Sequence, residues 1–211
     1  CFEAENRAIM ELPISLDSVK GFLDEQEGEA LFAAASEMSP QGLCVEIGSY
    51  CGKSTVIVGT ACQKAGGVLL AIDHHRGSEE NQPGEDYFDA DLDDGEGGMS
   101  SLLQFRANIR RAKLEDTVIA ALSASQVVQQ LPLAAPAFVF IDGGHSMPAA
   151  LADYRNWGTR VMRGGLLAIH DVFPNVADGG RPPHEIYKLA LHSGLFAEEK
   201  AVKSLRILRR L

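Results

Sequence analysis

No run in this chain reaches the ~18 consecutive apolar residues that a membrane-spanning helix needs, so no membrane partner is expected. Cysteine is scarce. There are four in 211 residues, Cys1, Cys44, Cys51 and Cys62, with no C-x-x-C and no zinc spacing. That pattern argues against a disulfide framework and points to reduced core thiols in a cytoplasmic protein. The opening residues, CFEAENRAIMELP, carry acids and no apolar stretch, unlike a secretory leader. Positive charge is also in deficit, at 19 Lys and Arg against 29 Asp and Glu, a net −10. A basic footprint for nucleic acid is therefore missing. The deficit is local: Glu79 to Glu96 holds nine acids and no base, leaving 29 − 9 = 20 acids to balance 19 bases elsewhere.

What is present is a regular alternation. Residues 1–40 read as an N-terminal helical segment, broken at Ser39-Pro40-Gln41-Gly42. Short apolar runs follow at Leu43–Ile47, Val68–Ile72, Thr117–Leu122, Ala137–Ile141 and Leu166–Ile169, and Phe196–Val202 with Ser204–Leu208 reads as a hairpin. Helical patterns lie between them, at Lys53 to about Lys64, Ser100–Ala112, Gln126–Leu131, Pro148–Val161 and Pro183–Ser193. Residues 77–98 form an acidic, glycine-rich insertion, long enough to suggest a lid. Its DADLDDG stretch fails as a calcium loop, with Asp94 where glycine is needed and Ser100 where glutamate is needed. The expected fold is a single α/β domain over 1–211: a Rossmann-like three-layer sandwich on a mostly parallel seven-stranded sheet with a C-terminal antiparallel hairpin.

Ligands of such sheets sit beyond the carboxyl ends of the strands, which singles out the polar residues just past each apolar run. After the first run comes VEIGSYCGKST. Its GKST tail suggests a phosphate loop, but Ile47 stands where G-x-x-x-x-G-K-[ST] requires its first glycine. Tyr50 stands where G-x-G-x-x-G requires its second. Glu46 beneath the turn would also repel phosphate. It suits a ligand bearing positive charge, such as S-adenosylmethionine, whose carboxylate could meet free N–H groups and Ser54. Asp73, ending the second run, is placed for ribose hydroxyls, and His74 next to it for the adenosine. Lys53 reads as a solvent-facing residue. Taken alone, E-x-G-x-x-x-G also fits a turn that merely packs strand on helix.

The GSYCGKS turn resembles the GAYCGYS turn of the catechol O-methyltransferase group of class I methyltransferases, and Ser123-Ala124-Ser125-Gln126 resembles the group's GASQ turn against adenine. IDGGHS and GGLLAIHD resemble small bacterial enzymes that methylate sugar and natural-product hydroxyls. The likeness runs from about Leu43 to Leu208. It implies S-adenosyl-L-methionine held by Glu46, Gly48, Ser49, Tyr50, Gly52, Ser54, Asp73, His74, Ser123, Ala124, Ser125, Gln126 and Asp142, and a small-molecule acceptor. In the metal-dependent members an Asp, followed 28 and 29 residues later by an Asp-Asn pair, holds magnesium. Here Asp142, His170 and Asp171 keep those offsets, with His170 as the departure. That donor set suits Mn, Fe or Zn better than Mg, and a site with no metal stays open. His145 stands where those enzymes carry a catalytic Lys and would serve, with Asp142, in catalysis. Trp157 reads as core, and Arg209-Arg210 as a solvated terminal pair. A homodimer is left open. A nicotinamide oxidoreductase and a non-catalytic adenosine-binding protein are the alternatives; the first lacks its glycine fingerprint.

Overall fold

The computed structural model describes residues 10–78, 81, 84, 88–96, 98–144 and 146–211. Among these residues, seven strands form one sheet in the order β3-β2-β1-β4-β5-β7-β6. They are β1 (Cys44–Ile47), β2 (Leu69–Asp73), β3 (Val118–Leu122), β4 (Phe138–Ile141), β5 (Leu166–Ile169), β6 (Phe196–Val202) and β7 (Leu205–Arg210). The first five are parallel; β7 is antiparallel to both β5 and β6. Strands β1, β4 and β5 are buried at every residue, as expected of parallel strands covered on both faces.

Among the described residues, six helices cover the sheet: α1 (Glu25–Met38), α2 (Lys53–Ala65), α3 (Leu102–Arg111), α4 (Ser125–Val128), α5 (Met147–Asn156) and α6 (Arg181–His192). One apolar cluster packs α1, α2 and α3 on one face around Phe138 and Phe140; the other packs α5 and α6 on the opposite face around Val139 and Trp157. Each large core side chain of this kind contributes about 1.5–3 kcal/mol. Trp157 is fully enclosed, its indole N–H donating to the Ser125 carbonyl at 3.3 Å, so it is core as expected. Local signals set the helix ends. Asp24 caps α1 in a capping box with Glu27. Gly52 and Gly66, both left-handed at φ +91 and +74, bound α2. Pro182 and Pro183 open α6.

Two readings of basic residues are corrected. Lys53 is half-buried, donating from Nζ to the Gly21 carbonyl at 3.1 Å, because the segment before α1 folds back over the start of α2. Arg209 and Arg210 belong to β7. Arg209 pairs with Glu37 (2.8 Å) and Glu199, and the Arg210 guanidinium lies over Phe196, 5.3 Å from the ring centre. Cys44, Cys51 and Cys62 are buried free thiols. Among the described residues, no helix is long and apolar enough to cross a membrane.

The sheet register positions the site. Ile72, Ile47, Ile141 and Ile169 lie side by side across β2, β1, β4 and β5, and all four belong to the α5–α6 cluster. Side chains alternate faces along a strand, and the next residue of each strand is Asp73, Gly48, Asp142 and His170. The chain departs in opposite directions from β1 and β4, so this row spans the topological switch point of the sheet.

Candidate active site

The glycine turn sits at the centre of that row. Gly48 has φ +85, and a Cβ there would fall 2.1 Å from the Asp142 carbonyl oxygen. Only glycine lets the β1 turn pass this close to the end of β4. Asp73 holds the turn: its Oδ2 accepts the Ser49 and Tyr50 N–H groups at 2.9 and 2.8 Å, and its Oδ1 accepts the His75 N–H at 2.7 Å. These contacts fix Tyr50 at φ +47, a conformation an aromatic residue rarely adopts. Three of roughly four acceptor positions on the carboxylate are thus used by backbone.

Glu46 faces the α2 side and is fully buried. Its Oε2 accepts the hydroxyls of Ser49 (3.1 Å) and Thr55 (2.5 Å), while Oε1 has no partner among the described residues. Burial pushes its carboxyl up to about 7, against the opposing hydrogen bonds of Ser54, Thr55 and Ser49; the charge of Asp142 adds to the rise. The Ser49 and Thr55 hydroxyls are therefore turned toward Glu46. Gly52 caps α2 beside Phe105, and the Cys51 carbonyl accepts from Asn108 at 2.8 Å.

At the β3 end, the Ser123 N–H donates to the Asp73 carbonyl at 3.2 Å and Ala124 precedes α4. Ser125 is buried, with its hydroxyl on Asp153, whereas Gln126 is exposed. His74 is exposed and His75 is not: the His75 ring packs against Phe105 and bonds Ser101 at 2.9 Å. A cleft of about 690 Å³, lined by His74, Arg76, Met99, Leu102 and Leu122 among others, opens beside these strand ends. The described part of the acidic insertion is docked here. Leu92 and Met99 bury against Cys51 and Tyr50, and Lys20 bridges Asp89 and Asp91 at 2.6 and 2.7 Å. Residues 79, 80, 82, 83, 85–87 and 97 of the insertion lie outside the described residues.

At the opposite end, Asp142, His170 and Asp171 converge, offering ligand atoms within 4.8 Å of one another. His170 Nδ1 lies 3.0 Å from Asp142 Oδ1 and 3.5 Å from Asp171 Oδ1. Asp171 turns the chain sharply at φ +56. The other ring nitrogen, Nε2, lies 3.1 Å from Glu27 Oε2 on α1. Burial disfavours the charged ring, but Asp142, Glu27 and Asp171 together outweigh it and raise its pKa. Burial likewise opposes ionisation of Glu27, yet the bonds from His170 and Ser204 hold its carboxyl well below the usual range. Glu27 and Ser204 were not singled out by sequence; the capping box at Asp24 is the one local signal that marks Glu27. His145, the base read from the sequence, lies outside the described residues.

Comparison with known proteins gives the scaffold its family. Residues 45–172, well over half of the chain, match a family described as "Methyltransferase domain". The chain is similar in structure to the O-methyltransferase NovP (TM-score 0.67, 16% identity, covering 88% of this chain and 79% of that one). It is similar to an O-methyltransferase from Bacillus cereus in complex with SAH (TM-score 0.62, 16% identity, 90% and 83% covered). A third likeness is to the O-methyltransferase TomG from Streptomyces achromogenes, involved in tomaymycin synthesis, in complex with SAM (TM-score 0.55, 13% identity, 90% and 81% covered). The nicotinamide reading finds no support in these matches. With its strand order, its glycine turn and this match, the chain belongs to the methyltransferase-domain family.

Proposed function

We propose that this chain transfers the methyl group of S-adenosyl-L-methionine to a hydroxyl of a small molecule. The observation that carries the reading is the row Asp73, Gly48, Asp142 and His170 at adjacent strand ends of a methyltransferase scaffold. Three inter-strand spacings, roughly 14 Å, separate the Asp73 and His170 ends. That span suits a ligand with a nucleoside at one end and a reacting amino-acid-linked sulfur toward the other. Asp73 keeps one acceptor position for a ribose hydroxyl, with His74, Ala124 and Gln126 nearby for the base. Glu46, whose Oε1 has no partner among the described residues, sets a buried carboxyl under the turn, which disfavours a phosphate there.

The methyl donor supplies an electrophilic carbon. The acceptor oxygen would attack it in line, the C–O bond forming as the C–S bond breaks and the sulfonium becomes a neutral thioether leaving group. The acceptor proton goes to a base, for which the sequence offers His145. Asp142, with its side chain about a quarter exposed, reaches the crevice where the acceptor would be aligned. The donor set of Asp142, His170 and Asp171 fits a divalent cation with mixed nitrogen and oxygen preference, such as Mn, Fe or Zn. Such a cation would lower the pKa of an acceptor hydroxyl. The acidic chain favours a small acceptor over nucleic acid.

Calorimetric titration of the whole chain with S-adenosylmethionine, S-adenosylhomocysteine and NAD tests the reading. Heat is expected from both sulfur ligands and not from NAD. Silence with both sulfur ligands would overturn it.

A further inference from the structure

Glu27 lies in α1, before the first strand and outside the segment matched to the family. It is nonetheless buried against the site, 3% exposed. Three donors and one ring nitrogen converge on its carboxylate. Oε1 accepts the Ser204 N–H and the Ser204 hydroxyl, each at 2.8 Å. Oε2 accepts the Asp24 N–H at 3.2 Å and faces His170 Nε2 at 3.1 Å. The carboxylate is thus anchored to the start of its own helix and to the hairpin before β7, with no slack to rotate.

An ionised carboxylate can only accept hydrogen bonds. The ring nitrogen that faces it must therefore carry a hydrogen. That settles one side of the imidazole and leaves Nδ1 as the atom that answers to the crevice. Nδ1 points at Asp142 Oδ1 and lies near Asp171. The arrangement of carboxylate, histidine N–H and opposite ring nitrogen is how proteins fix the orientation of a working histidine.

We propose that Glu27 is a positioning residue for the β4–β5 end of the site: it fixes a hydrogen on Nε2 of His170 and commits Nδ1 to the gap between Asp142 and Asp171. Nδ1 then donates to Asp142 as the site stands, and it would offer a lone pair to a divalent cation in the gap once that hydrogen is given up. The proposal deepens the site described under the proposed function, and its cation arm rests on that reading.

The test is long-range proton–nitrogen correlation on the full chain with nitrogen-15-labelled histidine, using His170→Gln to assign the ring. In the wild-type protein, Nε2 of His170 is expected to be protonated. Glu27→Gln, whose amide can donate as well as accept, is expected to change the protonation pattern of this ring. Wild-type His170 with a bare Nε2 would overturn the proposal even if the variant failed to fold; so would an unchanged pattern in a folded Glu27→Gln. In parallel, Mn²⁺ is titrated calorimetrically into wild type and Glu27→Gln. A loss of about 10- to 100-fold in affinity, with S-adenosylhomocysteine binding retained, supports the cation arm. No Mn²⁺ binding to wild type would remove the cation reading while the nitrogen spectra still decide the role of Glu27.

Discussion

Glu46→Gln offers a direct measure of the physics beneath the glycine turn. Glu46 is wholly buried, and its carboxyl is pushed up from an ordinary 4.5 to about 7. Burial is the main cause; the hydroxyls of Ser54, Thr55 and Ser49 resist it. A tenfold change in proton affinity corresponds to about 1.4 kcal/mol. The gap between 4.5 and about 7 therefore corresponds to roughly 3 kcal/mol of stability linked to pH. The sign follows from the direction. The folded state holds this proton more tightly than the unfolded chain, so the contribution is fully present below pH 4.5 and is lost as pH rises through about 7. Glutamine cannot titrate. Urea unfolding of both proteins from pH 4.5 to 8.5 should show the variant gaining on wild type by roughly 3 kcal/mol across that window, mostly between pH 5 and 8. Curves that stay parallel to within about 1 kcal/mol would refute the reasoning, because they would mean that Glu46 ionises freely in the folded protein.

Other perturbations probe other parts of the site. Gly48→Ala would drive a Cβ into the Asp142 backbone at a positive φ, and should cost about 3 kcal/mol or more by urea unfolding; a cost below about 1 kcal/mol would refute the close approach. Asp142→Ala should retain its far-ultraviolet circular dichroism yet lose methyl transfer by about a hundredfold or more, and full activity would remove Asp142 from the site. Lys20→Met should cost less than about 1 kcal/mol, because its pairs with Asp89 and Asp91 lie at the surface. Leu92→Ala in the same insertion should cost about 2–5 kcal/mol, and the reverse ranking would show that charge, not packing, docks the segment.

The strands and the strand-end row were legible because each central strand is a short apolar run ending in isoleucine and then a residue with chemistry: Ile47-Gly48, Ile72-Asp73, Ile141-Asp142, Ile169-His170. Periodicity gives the strand, and a polar residue directly after it has few structural reasons to be there. Glu27 was not legible. In the acid-rich EQEGEAL it looks like any first-turn helix carboxylate, and its burial comes from His170 and Ser204, 143 and 177 residues away. Lys53 misled for the same reason: its partner, Gly21, is 32 residues earlier. The Asp153 carboxyl that takes the Ser125 hydroxyl was out of view as well, because it lies on another helix. Chain-local patterns report which residues end a strand; they say little about which distant group fills the space beside them.

The hold of Asp73 on the turn has a thermodynamic consequence. Ser49 and Tyr50 are fixed before any ligand arrives, so binding at this end need not order backbone. The conformational entropy cost of association should then fall mainly on the ligand and on exposed side chains such as His74 and Gln126. A rigid ligand analogue that already holds the bound shape should accordingly gain affinity almost entirely through a more favourable entropy.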